Sequence, residues 1–201
     1  MKVIDAVKNR RATKQFDASF QISSEEKKKL IENALNYTPS AFNLQHWRLL
    51  VVDNAEQRQA LRKVGWDQSQ ITDSSMLIVL CADLDVWETQ VKSIWQDAKP
   101  DVRDIMCGAV DAYYRNKPQV QRDEIMRSAG LFAQTLMLLA QEQGYDSCPM
   151  DGFNFADVAN VINLPSHYQI CLMIAIGKGI AEPYPRLGKM TFDQAVTFNK
   201  F

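Results

Sequence analysis

The chain has 201 residues, 46% of them hydrophobic and 23% charged, with a formal net charge of −1; this is the profile of a globular protein long enough to bury a substantial core. So balanced a charge excludes general attachment to nucleic acid or to anionic membranes, both of which need a basic excess, and any anion site has to be local. No segment supplies the roughly 20 apolar residues of a membrane span, and the polar start Met1-Lys2-Val3-Ile4-Asp5 does not read as a signal peptide.

Val3, Ile4 and Val7 fit one face of a short amphipathic helix. The stretch Arg10-Arg11-Ala12-Thr13-Lys14 follows, where that helix gives way to extended chain. Cations there can simply complement a helix dipole. Alternatively, two guanidinium forks and an ammonium converge on a phosphate, with the Thr13 hydroxyl as a neutral donor. The residues alone leave both readings open.

Ser23 and Glu26 form a capping box that opens a helix ending near Tyr37, before Pro39. Residues 47–52 and 76–82 read as buried strands, with a helix from Asp53–Asn54 to about Val64 between them. From Val86 to Asn116 the pattern predicts helical pieces broken at Pro100. Gln121 to Gln143 is the longest predicted helix, apolar nearly all round between Phe132 and Ala140, and closed by Gly144. A helix of that kind is buried in the core and against a partner chain, so a homodimer is expected. Residues 149–153 read as a turn, a short helix follows around Asp157–Ile162, and a third buried strand spans 170–177. The segment from Lys178 reads as an extended arm. Composition shifts nowhere sharply enough to mark a linker, so one domain over residues 1–201 is expected, of α+β class with a small central sheet.

Neither G-x-G-x-x-G nor G-x-x-x-x-G-K-[ST] is present, so no nucleotide cradle of those types is expected. His46 and His167 lack ligand spacing, no metal site is expected, and both read as structural. Cys81, Cys107, Cys148 and Cys171 lie far apart without a C-x-x-C pair and read as free thiols of a reducing, cytoplasmic compartment. With no side-chain nucleophile or paired carboxylates in evidence, a bound cofactor is left to carry any difficult chemistry.

Four motifs then converge. Arg10-Arg11-Ala12-Thr13-Lys14-Gln15-Phe16 resembles the N-terminal R-x-S-x-[KR]-x-[FY] signature of the FMN-dependent nitroreductase family. Pro39-Ser40-Ala41-Phe42-Asn43-Leu44-Gln45-His46-Trp47 is similar to that family's P-S-x-x-N-x-Q-P-W loop. Pro149-Met150-Asp151-Gly152-Phe153 resembles its acidic-Gly turn under the flavin ring, and Arg186-Leu187 its C-terminal R-L. Together they run in the expected order over nearly the whole chain.

The resemblance implies a small, mostly antiparallel central sheet surrounded by helices, in an intertwined homodimer. It implies FMN as cofactor, NAD(P)H as donor and a nitroaromatic or quinone as acceptor, in ping-pong turnover through flavin N5. The alternative it leaves is an FMN-binding protein of the same fold with a different or no redox turnover. Arg10 and Arg186 would clamp the phosphate, with Arg11, Ala12 and Thr13 in the same wall. Lys14 would face the pyrimidine edge of the flavin. Pro39, Ser40, Ala41, Asn43 and Gln45 would come from the second subunit. Met150, Asp151 and Gly152 would lie under the ring, offering a backbone N–H to N5. Asp67 and Gln70 stand where relatives carry an asparagine and a lysine against the flavin. Phe42, Trp66 and aromatic residues between Trp95 and Tyr114 would rim the pocket. Three departures stand out: Ala12 for the usual serine, His46 for proline, and Gln70 for lysine. The last removes a positive charge near N1 and O2 and implies a more negative flavin potential than in relatives carrying both lysines.

Overall fold

A computed structural model describes residues 1–201. Its elements are α1 (Val3–Asn9), α2 (Ser24–Tyr37), β1 (Trp47–Val51), α3 (Ala55–Val64), α4 (Gln70–Asp73), β2 (Met76–Asp83), α5 (Val86–Thr89), α6 (Val91–Ile94), α7 (Pro100–Tyr114), α8 (Pro118–Glu142), β3 (Asp146–Met150), α9 (Phe155–Val161), β4 (Tyr168–Gly177) and α10 (Phe192–Ala195). The four strands form one sheet in the order β1-β2-β4-β3, antiparallel at every pairing. No helix is long and apolar enough to cross a membrane.

The unbroken apolar run of β2 follows from its central place. Met76, Ile78 and Leu80 enter one core cluster with Leu30 of α2 and Phe132, Leu136 and Ala140 of α8. Leu77, Val79 and Cys81 point the other way, into a second cluster with Leu61 of α3 and Val158 of α9. A strand covered on both faces has no reason to alternate apolar with polar. On α8 the positions facing the first cluster recur at helical spacing, from Ala129 through Phe132, Ala133 and Leu136 to Ala140. The opposite side leaves Leu131 exposed, as are Val3, Ile4 and Val7 on α1.

The structure corrects four expectations. Residues 149–153 are not simply a turn: Pro149 and Met150 complete β3, and only Asp151–Phe153 turn away. Asp, Ser and Pro are poor strand formers, and β3 exists because it pairs with β4 on one side and bridges Ala12 on the other. Pro100 does not break a helix but starts α7, at a position where its missing N–H costs nothing. The longest helix begins at Pro118, three residues ahead of Gln121, for the same reason. The segment after Lys178 is largely exposed, yet Thr191 caps the one-turn α10 within it.

Candidate active site

Residues 10–16 run as extended chain along the free side of β3. The Thr13 N–H donates to Ser147 O at 3.0 Å, and Phe16 bridges Gly179. Extended chain alternates its faces, and the basic stretch is divided accordingly. Lys14 Nζ reaches Cys148 Sγ at 3.5 Å, and the Arg10 charge is felt at the same sulfur. Arg11 and Thr13 instead line a cleft of about 640 Å³ together with Lys8, Asp146 and Gly179. The Arg11 guanidinium donates to the Tyr184 carbonyl, and Thr13 is buried with its methyl toward Gly179. The single phosphate wall read from residues 10–14 therefore splits: Arg10 and Lys14 share one face, with Arg11 and Thr13 on the other.

Arg186 approaches from the far end of the chain, its Nη2 donating to Lys8 O at 2.9 Å and Arg10 O at 3.0 Å. The two expected clamp residues thus lie side by side. Neither Arg10, Arg11, Lys14 nor Arg186 forms an ion pair with a carboxylate. Burial, and then the charges of Arg186 and Arg11, hold the Arg10 guanidinium below its ordinary pKa. Like charges held this close without a counterion stabilise one another only through a bound anion.

The other end of the site is a clamped turn. Phe153 N donates to Asp151 O at 3.1 Å. The Trp66 ring lies so close over Gly152 that a Cβ there would come within 2.8 Å of it, so any side chain at 152 has to push the ring aside. Gln68 Nε2 donates to Gly152 O at 2.8 Å and to Gly65 O at 3.0 Å. Gln70 is buried, and its Nε2 faces Gln68 Oε1 at 3.2 Å and Cys148 Sγ at 4.0 Å. Burial pushes the Cys148 thiol up against the pull of Lys14 and Gln70, so it stays protonated at neutral pH and turns toward Pro149 O at 3.6 Å. Gln68 and Cys148 were not singled out from the sequence; a polar residue two places before Gln70, and a cysteine one place before the Pro-x-Asp-Gly turn, were the available signals.

Two expected site residues are otherwise occupied. Asp67 is exposed and paired with Arg62 at 2.6 Å, and no contact carries it toward Lys14 or Gly152. The Met150 side chain belongs to the second core cluster, which leaves only its backbone for a ligand.

The loop Pro39–Gln45 lies at the start of β1, and no hydrogen bond joins it to the Arg10–Lys14 stretch within the chain. Ser40 Oγ accepts Gln45 N at 3.0 Å, so the hydroxyl shapes the loop. Phe42, Asn43, Gln45, Trp66 and Asp67 make up five of the eight non-glycine residues with positive φ. Backbone is thus held in the left-handed region at two loops, one of them fixed by Trp95 Nε1 donating to Phe42 O at 3.0 Å. Of the expected rim, Phe42 packs on Tyr113 with ring centroids 5.7 Å apart, Tyr114 is core, and Trp66 stands apart over Gly152. His46 is buried, with neither ring nitrogen bonded to a protein group; burial and Arg48 push its pKa down to about 4.

The fold is α+β, and distant segments of the chain bring Arg10 and Arg186 together with no carboxylate partner. The model described as the Nitroreductase family matches residues 7–178. Protein DrgA of Synechocystis is 42% identical over 178 residues, 89% of this chain and 84% of that protein. YdgI of Bacillus subtilis, provisionally named an NAD(P)H nitroreductase, is 32% identical over 90% of each chain. An Exiguobacterium sibiricum nitroreductase structure, solved in complex with FMN, superposes with a TM-score of 0.89 at 26% identity, covering 99% of this chain and 98% of that one. The chain belongs to the nitroreductase family.

Proposed function

We propose that this protein is an FMN-dependent NAD(P)H oxidoreductase, acting as a homodimer on nitroaromatic or quinone acceptors. The observation that carries this reading is the meeting of Arg10 and Arg186, unpaired with any carboxylate, beside the strand that runs into the Gly152 turn. Bound FMN supplies a two-electron carrier, taking hydride from NAD(P)H and passing the electrons to the acceptor in ping-pong turnover. Arg10 and Arg186 hold its phosphate. Lys14 stabilises negative charge at the pyrimidine edge of the reduced ring. The Gly152 turn presents a backbone N–H toward N5, with the Trp66 ring resting where a side chain at 152 would lie.

In one chain this face is open, with Ala12 and Lys14 exposed. A second copy closes it, contributing the strained loop with Asn43 and Gln45. The exposed apolar residues Val3, Ile4, Val7 and Leu131 support such an interface, as does an apolar hollow of about 220 Å³ between α1 and α8. Four free cysteines support a reducing, cytoplasmic setting.

The test is optical. Protein saturated with FMN should bleach on anaerobic addition of NADPH or NADH and regain its colour with a quinone. Failure to retain FMN would remove the cofactor from the account. Retention without bleaching would instead favour a protein that holds FMN for another purpose.

A further inference from the structure

We propose that Gln68 is a positioning residue for flavin reduction, fixing the Asp151–Gly152 turn and tying it through Gln70 and Cys148 to Lys14. This rests on the flavin reading above. The contacts form one continuous line: Gly152 O to Gln68 Nε2 at 2.8 Å, Gln68 Oε1 to Gln70 Nε2 at 3.2 Å, Gln70 Nε2 to Cys148 Sγ at 4.0 Å, and Cys148 Sγ to Lys14 Nζ at 3.5 Å.

The donor inventory fixes the direction of every link. Both Gln68 amide hydrogens are used, on the carbonyls of Gly152 and Gly65. Its oxygen faces the Gln70 amide, and reversing Gln68 would set that oxygen against two carbonyl oxygens. The Cys148 thiol hydrogen goes to Pro149 O, so the sulfur lone pairs are free to receive Gln70 and Lys14. A glutamate at 68 would meet the two carbonyls with no hydrogen to offer. A lysine at 70 would bring a second ammonium to the sulfur that already receives Lys14.

The geometry of the turn gives this line its consequence. Asp151 O is taken by Phe153 N, Gly152 O by Gln68, and the space above the Gly152 Cα by Trp66. The peptide between Asp151 and Gly152, whose N–H is the one offered to N5, cannot rotate without breaking one of these contacts. A donor held still before the reaction needs no reorganisation during it. Gln68 touches neither cofactor nor substrate in this scheme; it acts through the turn.

The experiment compares the full-length protein with Gln68→Met, similar in length but without hydrogen-bonding hydrogens, all loaded with FMN. Three quantities are read: the anaerobic rate of flavin reduction by NADPH, the ¹⁵N chemical shift of N5 in labelled FMN, and FMN affinity by fluorescence quenching. The expectation is a reduction rate lowered roughly 10-fold, a displaced N5 resonance, and affinity changed by less than about 3-fold because the phosphate grip is untouched. Gln68→Asn, polar but one methylene short of Gly152, should move the same readouts and serves if Gln68→Met does not fold. An unaltered rate and N5 resonance in an FMN-loaded variant would overturn the role of Gln68 while leaving the flavin reading intact. A wild-type chain that holds no FMN would overturn both.

Discussion

At the cationic end of the site Arg10 and Arg186 face no carboxylate, whereas at the turn end Gln68, Gln70, Cys148 and Gly152 satisfy one another within the chain. The first arrangement stores repulsion that a ligand relieves. The second is finished before any ligand arrives. Affinity should therefore reside mainly at the cationic end and rate at the turn, and variants at the two ends should part along that line.

Arg10→Ala should do the most damage. Loss of a charge-assisted, two-pronged phosphate contact weakens FMN binding by roughly 100- to 1000-fold, measurable by flavin fluorescence titration. A change below tenfold would mean the phosphate lies elsewhere. The next effect belongs to neither end but to the loop between β1 and the core. His46 is neutral in the fold, its pKa held at about 4 against an ordinary 6.5, so the unfolded chain takes up a proton first. Its contribution is complete above about pH 6.5 and is lost as pH falls toward 4, up to about 3 kcal/mol over the window. Wild type should lose up to that amount of unfolding free energy relative to His46→Leu as pH falls, read from denaturant titrations at each pH.

Gly152→Ala tests the turn directly. Its methyl must displace the Trp66 ring, which is 71% exposed and can move, so folding should survive while flavin reduction slows by about 30-fold. Unchanged kinetics would show that the turn is not the hydride end. The smallest effect is Gln70→Lys, which adds a cation beside Cys148 and Lys14. The flavin potential should rise by roughly 30 mV, equivalent to about 1.4 kcal/mol for two electrons, in a redox titration. A flat or lower potential would show that the neutral amide already does the work of the lysine.

The same contrast explains what could be read from the sequence. Charges without partners announce themselves: Arg10, Lys14 and Arg186 stand in motifs, and the structure brings Arg10 and Arg186 together. β1, β2 and β4 were legible as apolar runs, although only β2 is buried throughout, and β1, at the sheet edge, is half-buried from Arg48 to Val51 where a buried strand was expected. β3 was not, since Asp146, Ser147 and Pro149 deny it any local preference and only its neighbours make it a strand. The alternation that separates Arg11 and Thr13 from Arg10 and Lys14 was equally out of reach, because it depends on that strand. Gln68 and Cys148 lie 80 residues apart and meet only through Gln70 once α4 packs near β3, a relation no spacing encodes.

Arg186 donates to the Arg10 carbonyl across 176 residues of intervening chain, while Asp17 and Gln15 bond Lys178 and Ile180 just before it. Two segments far apart in the chain thus close the candidate cleft between them, and a protease that cuts the exposed arm between residues 180 and 186 should release Arg186 from Arg10 while leaving both cores standing.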